Sequence, residues 1–347
     1  MARTSPGFFV HLLILLPLVG CEHSDPPLVV YVSADEYVAR PVLDAFSEKT
    51  GIPVHMVGDT EATKTTGLVD RIRAERNMPI ADVFWSSEAF MTIELAQEGL
   101  LQPCNTNVTE EWFTDWRDPL KQWFGFSPRP RVLVYDPERM AEEDVPVSLE
   151  LLAEPRWRDQ LVMADPRFGT TGGHLAALKS WYDSQGSLDG YGEFLSGLAA
   201  NRMRVLPGGN AAVVDEIRSG RALIGLTDAD DVRAANRLGA GLSMRYVGPI
   251  EGVGTFMMPN TVAVVAGSRH PAAGDFVDML LSEETARRLA ESVSGNVPLD
   301  PAVASDYPEL IVPTSMPVDF QTTANEYPLA IRMAVTSLQD RAPDAAP

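Results

Sequence analysis

The sequence predicts an α/β fold in two sections, each a mixed, mainly parallel sheet flanked by helices. Short runs of β-branched and aromatic residues alternate with amphipathic segments along residues 28–100, which is the pattern of a sheet covered by helices on both faces. A second alternation of strands and helices begins near Arg131. The length of 347 residues also suits two domains better than one.

Three strand–helix pairs make up the first section. Strands are predicted at residues 28–32, 52–57 and 81–85, and helices at 37–49, 68–76 and 90–98. Gly51 and Gly99 follow two of the helices, where glycine readily takes the left-handed conformation that ends a helix. Ligands of such sheets bind beyond the carboxyl ends of the strands. We therefore expect a site near residues 33–35 and 86–88.

The second section has the same character. Strands are predicted at residues 131–135, 161–164, 222–226 and 261–265, and helices at 174–181, 211–219, 272–281 and 283–291. A glycine- and threonine-rich turn at 169–173 precedes the helix at His174, and an acidic loop at 227–231 precedes a helix near Val232. We expect these two connections to contribute to the same site.

Composition and net charge exclude some classes of function. Hydrophobic residues make up 45% of the chain and charged residues 22%, as in ordinary globular proteins. The formal net charge of −20 excludes the basic surface that nucleic-acid binding requires. We therefore expect no nucleic-acid partner.

The N-terminus predicts secretion and lipid anchoring. Arg3 precedes a short apolar run that ends at Cys21, and small or apolar residues directly before a cysteine are typical of a bacterial lipobox. We predict a signal peptide at residues 1–20, lipidation of Cys21 and a tether at 21–27, with an ordinary signal peptide as the alternative. Cys104 is then left without a cysteine partner.

The order of the motifs resembles the ferric-iron-binding, transferrin-like family of periplasmic solute-binding proteins. The motifs that carry this resemblance lie at residues 31–33, 49–54, 81–85, 98–103, 129–135, 225–228, 259–263 and 270–273. Each motif is short, but the motifs occur in the same order as in the family, and together they extend from Leu28 to about Leu299. The resemblance implies the two-lobed periplasmic-binding-protein fold, with crossing strands between the lobes.

Lobe boundaries and partners follow from the same resemblance. It places residues 28–124 and 257–300 in an N-terminal lobe, 125–256 in a C-terminal lobe, and 301–347 in C-terminal helices and a tail packing across the lobes. It implies a monomer in the periplasm or cell envelope that delivers cargo to an ABC permease and its ATPase subunit. It implies no catalysis and no resident cofactor.

The expected site departs from the family in its ligands. Ferric binders resembling this chain use adjacent tyrosines where Asp230 and Asp231 stand here, and a His or Tyr where Asp35 stands. Their acidic ligand falls near Ser87 or Glu88. The candidate metal ligands are therefore Asp35, Glu88, Asp230 and Asp231, because carboxylates suit hard cations.

Two features of the site have a structural alternative. Asp228, which joins the candidate ligands, can instead cap the following helix together with its neighbours. The turn carrying Thr170, Thr171 and Gly172 can bind an anion through free backbone N–H groups, with Arg129 or Arg131 forming an ion pair with that anion. The alternative is that this turn only begins a helix. His174 is the weaker candidate there.

Three functions compete at this stage. The first is an importer subunit that captures a metal ion of the ferric type, with a synergistic anion completing its coordination. The second is an importer subunit for a small organic zwitterion such as an aminoalkyl phosphonate or phosphate, which the missing tyrosines favour. The third is an extracytoplasmic hydrolase, for which the sequence offers neither a His-x-Glu metal pattern nor a Gly-x-Ser-x-Gly elbow.

Overall fold

A computed structural model describes residues 26–58 and 65–339 of the chain. The predicted signal peptide, Cys21 and most of the predicted tether lie outside the described residues, as does the end of the tail from residue 340. Among the described residues, no helix combines the length and the hydropathy needed to span a bilayer.

Each predicted strand and helix overlaps an observed one, and the structure adds elements that the sequence did not predict, among them helices at 190–200 and 320–338 and strands at 204–206 and 243–246. The strands are β1 (Leu28–Val32), β2 (Val54–Gly58), β3 (Val83–Ser86), β4 (Leu101–Gln102), β5 (Phe124–Tyr135), β6 (Leu161–Ala164), β7 (Arg204–Leu206), β8 (Ile224–Asp228), β9 (Ser243–Tyr246) and β10 (Met257–Val265). The helices are α1 (Glu36–Thr50), α2 (Thr66–Ala74), α3 (Phe90–Gln97), α4 (Asn107–Glu111), α5 (Gly169–Ser184), α6 (Gly190–Ala200), α7 (Asn210–Arg218), α8 (Ala229–Arg237), α9 (Ala273–Leu280), α10 (Glu283–Glu291), α11 (Pro301–Ala304) and α12 (Phe320–Leu338).

The sheet has two halves that share one strand. Its order is β2-β1-β3-β10-β5-β8-β6-β7, with β4 beside β10 and β9 beside β5. The first half pairs β1 in parallel with β2 and β3, and the second pairs β6 in parallel with β7 and β8. We call the half around β1 the first lobe and the half around β8 the second lobe. The predicted α/β class with a mixed sheet is confirmed. The expectation of mainly parallel pairing is not, because five of the nine strand pairings among the described residues are antiparallel and all five involve β5 or β10.

The long strand β5 crosses between the two lobes. Its residues up to Pro130 pair with β10, and its residues from Arg131 pair with β8 and β9. The pairing with β10 shifts register between Met258 and Asn260. Opposite this shift, Ser127 has a positive φ of 41°, and its carbonyl accepts the side-chain amides of Asn260 and Asn296. The two lobes are joined at this irregular stretch.

The helical spacing of apolar residues explains how α1 packs on the sheet of the first lobe. Val38, Val42 and Phe46 recur at helical spacing along α1 and are buried against the sheet. Phe46 meets Phe276 of α9 edge to face, with ring centroids 5.1 Å apart. Burying one such side chain contributes about 2 kcal/mol. Gly51 ends α1 with a φ of 74°, as expected of a helix followed by glycine.

Two helices begin earlier than the sequence predicts. Helix α5 begins at Gly169 rather than His174, so the turn at 169–173 is itself helical. Helix α8 begins at Ala229 rather than near Val232, with Asp228 in the capping position. Glycine and aspartate are poor residues for a helix interior, but both are tolerated in a first turn supported by packing.

The C-terminal helix α12 packs on helices of both lobes. Ala330 accepts a hydrogen bond from the Tyr191 hydroxyl of α6, and Asn325 accepts one from Gln97 of α3. Against α5 the approach is close, because a Cβ added to Gly172 would lie 2.5 Å from the Tyr327 hydroxyl oxygen and 2.4 Å from the Pro166 carbonyl. Gly172 is therefore a packing residue between α5 and α12.

We predict that Gly172→Ala destabilises the protein by about 1–3 kcal/mol. The added methyl overlaps the Pro166 carbonyl and the Tyr327 hydroxyl of α12, so the neighbouring segments must move apart. Urea unfolding followed by circular dichroism measures the change. Gly192→Ala in α6 is the control, since its methyl would meet only the Met333 side chain at 3.8 Å. Equal stability of the two variants would contradict the packing role of Gly172.

Candidate functional site

A cleft lies between the two lobes at the carboxyl ends of the central strands. It has a volume of about 610 Å³ including open solvent. Asp35 and Ser87 line it from the first lobe and Arg129 lines it from the crossing strand. The second lobe contributes the starts of three helices, α5, α7 and α8. The turns bearing Asp35 and Asp230 thus face one shared gap, as the sequence predicted for ligand-binding residues of opposite lobes.

Serine hydroxyls organise the first-lobe side of the cleft. Ser33 follows β1, and its hydroxyl oxygen accepts from the Ser87 backbone N–H at 2.8 Å and from the Thr65 hydroxyl at 2.9 Å. These bonds join the turns that follow β1 and β3. Asp35, two residues after Ser33, is thereby presented to the cleft.

Three carboxylates cluster at the start of α8. Asp228, Asp230 and Asp231 can each bring one oxygen to within 4.8 Å of the others. Asp228 and Asp230 are buried and Asp231 is half-buried. The positive end of the helix dipole favours acidic residues at this place, so their location is compatible with capping as well as with binding.

Asp228 belongs to a buried network in the second lobe. Its carboxylate accepts from Arg131 Nη1 at 2.7 Å, from the Asn210 amide at 2.9 Å and from the Thr170 hydroxyl. Arg131 is fully buried and also donates to the Leu226 carbonyl. Asp228 lines the cleft, but its oxygens are already engaged in joining β5 to α5, α7 and α8.

Arg129 connects the two lobes within the cleft. Its Nη2 donates to the Ser87 carbonyl of the first lobe, and its Nη1 lies 3.6 Å from Asp230 Oδ2 of the second lobe. Burial lowers the pKa of Arg129, but the fields of Asp230, Asp228 and the other cleft carboxylates outweigh burial and raise it overall. Arg129 is therefore a fixed positive charge among carboxylates.

Two helix N-termini supply backbone donors to the cleft. Helix α5 begins at Gly169 with Thr170 and Thr171 in its first turn, and α7 begins at Asn210. All four residues line the cleft. The first amide groups of a helix lack intrahelical acceptors, and the dipole there favours an anion. The arrangement suits an oxyanion at this end of the cleft.

Two predicted site residues do not lie on the cleft. Glu88 is fully buried, and its carboxylate accepts from the backbone N–H groups of Phe90 and Met91, so it caps α3. Gly172 is on the side of α5 that packs on α12. Ser87 and Thr171, which were predicted for the same site and are their neighbours in sequence, do line the cleft.

His174 is also away from the cleft. Its ring stacks on Phe256 with centroids 5.5 Å apart, and it is buried one turn beyond the cleft-facing threonines. Burial, reinforced by the charge of Arg131, holds the pKa of His174 well below its ordinary value. A neutral, packed imidazole fits the structural role that the sequence favoured for this residue.

Sequence reasoning missed a phenol beside the cleft. The Tyr37 hydroxyl donates to Asp35 Oδ2 at 3.1 Å. Burial, the charge of Asp35 and, more weakly, that of Asp230 raise the pKa of Tyr37 to about 12. The sequence signal for it was its position two residues after Asp35 in the first turn of α1. The sequence analysis looked for a family His or Tyr at position 35 itself and for adjacent tyrosines at positions 230 and 231.

The fold and the cleft define a two-lobed solute-binding protein. The family of bacterial extracellular solute-binding proteins matches residues 78–313, and the chain belongs to this family. The resemblance predicted from the sequence motifs is thereby confirmed.

Relatives and solved structures agree with this assignment. The iron uptake protein A1 of Synechocystis sp. is 25% identical over 75% of this chain and 74% of that protein. The major ferric iron-binding protein of Neisseria gonorrhoeae is 30% identical over 39% of this chain and 40% of its own length. The apo ferric ion-binding protein A of Pasteurella haemolytica has a TM-score of 0.79 at 21% identity, covering 91% of this chain and 99% of that structure.

We predict that Glu88→Gln flattens the dependence of stability on pH. Burial raises the pKa of Glu88 from 4.5 to about 7, so the folded protein holds a proton there that the unfolded chain has released. The stabilisation is fully present below pH 4.5 and is lost as the pH rises through about 7, an effect of about 3 kcal/mol.

Urea unfolding at pH 5 and pH 8 tests this pH dependence. The difference in unfolding free energy between the two pH values should be smaller in Glu88→Gln than in the wild type. Glu48→Gln, at an exposed position on α1, is the control and should keep the wild-type difference. If both variants keep it, Glu88 is not the titrating group.

Proposed function

We propose that this chain is the extracytoplasmic solute-binding subunit of an ABC importer, anchored by a lipid on Cys21, and that it delivers its cargo to a permease driven by an ATPase subunit. The cargo is a metal ion of the ferric type, held together with an anion. The proposal is for capture and delivery without catalysis, in keeping with relatives that are named as uptake and binding proteins.

The charge of the cleft is the observation that carries the choice of cargo. Asp228 is matched by Arg131 and Asp165 by Arg167. Asp35, Asp230 and Asp231 also line the described part of the cleft, so aspartates from both lobes face it, and a cleft lined mainly by one sign of charge attracts ions of the opposite sign. Two carboxylates about 4 Å apart repel by roughly 4 kcal/mol at an intermediate dielectric, and a bound cation relieves that repulsion.

Oxygen donors from both lobes would hold the metal. Asp35 belongs to the first lobe, and Asp230 and Asp231 belong to the second, so a cation between them would draw the lobes together. Carboxylates are the donors that hard cations prefer. Of the metal ligands predicted from the sequence, Asp35, Asp230 and Asp231 remain candidates, whereas Glu88 is committed to capping α3.

An anion would complete the arrangement from the second lobe. The N-termini of α5 and α7 present backbone N–H groups beside Thr170 and Thr171, and Arg129 lies at the same cleft. An anion placed there faces two helix dipoles and one guanidinium. It would offset the positive charge of a trivalent ion and supply oxygen donors in place of the tyrosines that the family has at positions 230 and 231.

The second candidate is a small organic zwitterion. The position of Arg129, only 3.6 Å from Asp230, favours it, because a guanidinium there repels a metal bound to the same carboxylate. Its amine would face Asp230 and Asp231, and its phosphonate or phosphate would face the starts of α5 and α7. A structure of the same fold from Actinobacillus pleuropneumoniae, with a TM-score of 0.73 and 19% identity, contains fructose-6-phosphate.

We predict that Asp230→Ala combined with Asp231→Ala abolishes stabilisation by the cargo. Ferric iron supplied as its citrate complex should raise the melting temperature of the wild type, because a ligand at one hundred times its dissociation constant adds about 2.7 kcal/mol. The double variant should melt at one temperature with or without iron. Differential scanning fluorimetry measures both, and metal analysis of the purified protein gives the stoichiometry.

The matched control removes two carboxylates from another helix start. Glu283→Ala with Glu284→Ala makes the same change of charge in the first turn of α10, outside the cleft. It should retain the full response to iron. If the aspartate variant responds as the wild type does, the start of α8 is only a capped helix. If 2-aminoethylphosphonate shifts the wild-type melting temperature and iron does not, the second candidate replaces the first.

Lipid anchoring has a separate test at Cys21. We predict that Cys21→Ser moves the expressed protein from the membrane fraction to the soluble fraction, because the predicted lipobox then has no thiol to accept the lipid. Detergent phase partitioning followed by immunoblotting shows the change. Cys104→Ser should leave the partitioning unchanged, since that thiol is buried within the first lobe. Membrane retention of the Cys21 variant would contradict the anchor.

A further inference from the structure

One face of α8 is directed across the gap between the lobes. Asp230, Arg233 and Arg237 lie at positions i, i+3 and i+7 of this helix, so they form one stripe along it. Asp230 is the cleft carboxylate near Arg129. The two arginines follow it by one and two turns, away from the cleft.

Both arginines donate to the first lobe. Arg233 Nη1 donates to the Gly295 carbonyl at 2.7 Å, and Arg237 Nη1 donates more weakly to the Glu291 carbonyl at 3.4 Å. Arg233 Nη2 also donates to the Tyr246 hydroxyl of β9 at 2.9 Å. This second bond lies within the second lobe and fixes the orientation of the guanidinium.

The acceptors are at the C-terminal end of α10. Glu291 is the last residue of that helix, and Gly295 follows in the loop that returns to the crossing strand. The last carbonyl groups of a helix lack intrahelical donors, and the dipole there favours a cation. Arg237 therefore meets a carbonyl group that the end of α10 leaves available, and Arg233 meets a carbonyl of the loop that follows it.

Gly295 permits the close approach. Its φ is +61°, a conformation that side-chain-bearing residues rarely adopt, and an added Cβ would lie 3.1 Å from Arg233 Cδ. The next residues bind the loop to the crossing strand, since Asn296 donates to the Ser127 carbonyl and Val297 N–H donates to the Pro128 carbonyl. The contact is thus anchored beside the irregular stretch that joins the lobes.

We infer that Arg233 and Arg237 form an interlobe latch that holds the cleft closed without cargo. Breaking the latch would shift the population towards an open form. The carboxylates Asp230 and Asp231 stand on the same short helix as the latch, so movement of α8 opens both together. The affinity for any cargo that needs the closed form then falls in proportion to the closed population.

The test measures the opening directly and needs no cargo. Spin labels at Glu48→Cys on α1 and Ser219→Cys at the end of α7, in a Cys21→Ser background, report the distance between the lobes by double electron–electron resonance. Both sites are exposed, whereas Cys104 is buried and shielded from the label. Arg233→Ala with Arg237→Ala should add a population at longer distance that the parent protein lacks.

The matched control is Arg287→Ala with Arg288→Ala on α10. It removes the same charge near the same interface, but these arginines pair with Asp306 and Glu284 of their own lobe. Its distance distribution should equal that of the parent. Arg233→Lys, which keeps the charge but cannot reproduce both bonds of the guanidinium, should give an intermediate population and covers the case in which the double variant fails to fold.

An identical distance distribution in the parent, the double alanine variant and Arg233→Lys would overturn the latch. The result does not depend on which solute the cleft binds. Failure of the latch is therefore distinguishable from failure of the proposed metal or zwitterion cargo, which is tested by melting with added ligand.

Discussion

The buried pair of Arg131 and Asp228 is the interaction on which the geometry of the cleft depends. It joins the crossing strand to the end of β8, and through Thr170 and Asn210 it fixes the starts of α5 and α7 as well. Removing one partner of such a buried pair costs about 3–5 kcal/mol, because the other charge is left uncompensated. With this pair in place, one edge of the second lobe presents carboxylates and helix N-termini as a rigid unit.

Arg129 shows how the same strand serves two purposes. It precedes Arg131 by two residues, yet it contacts Ser87 of the first lobe and Asp230 of the second, whereas Arg131 bonds within the second lobe. The change occurs where β5 exchanges β10 for β8 as its partner. A bond that spans the lobes at this point resists separation while leaving the turns that bear Asp35 and Asp231 at the open edge.

The sequence predicted the strands and helices that follow from local apolar periodicity. It did not predict the side-chain positions that depend on contacts between distant parts of the chain. The strand at Leu28 and helix α1 follow from local apolar spacing, and so they were found within a few residues. Glu88 was expected in the cleft, but the side of a turn that faces the ligand is set by tertiary contacts. The pairing of Asp228 with Arg131 spans 97 residues, and no local pattern announces it. Tyr37 was predicted to begin a helix, which in the structure begins one residue earlier, and its hydroxyl bond to Asp35 could not be predicted from the helical pattern.

The placement of charge along α8 links binding to closure. Its N-terminal turn carries acidic side chains that favour a cationic cargo, while Arg233 and Arg237 approach the negative end of α10. A helix of nine residues moves as a rigid body, so the two ends cannot respond independently. If carboxylate repulsion in the empty cleft favours opening, the arginine contacts oppose it, and the balance between the two sets how much of the protein is closed before cargo arrives. A bound cation removes the repulsive contribution, so the arginine contacts are no longer opposed and act in the same direction as the cation that links carboxylates of the two lobes.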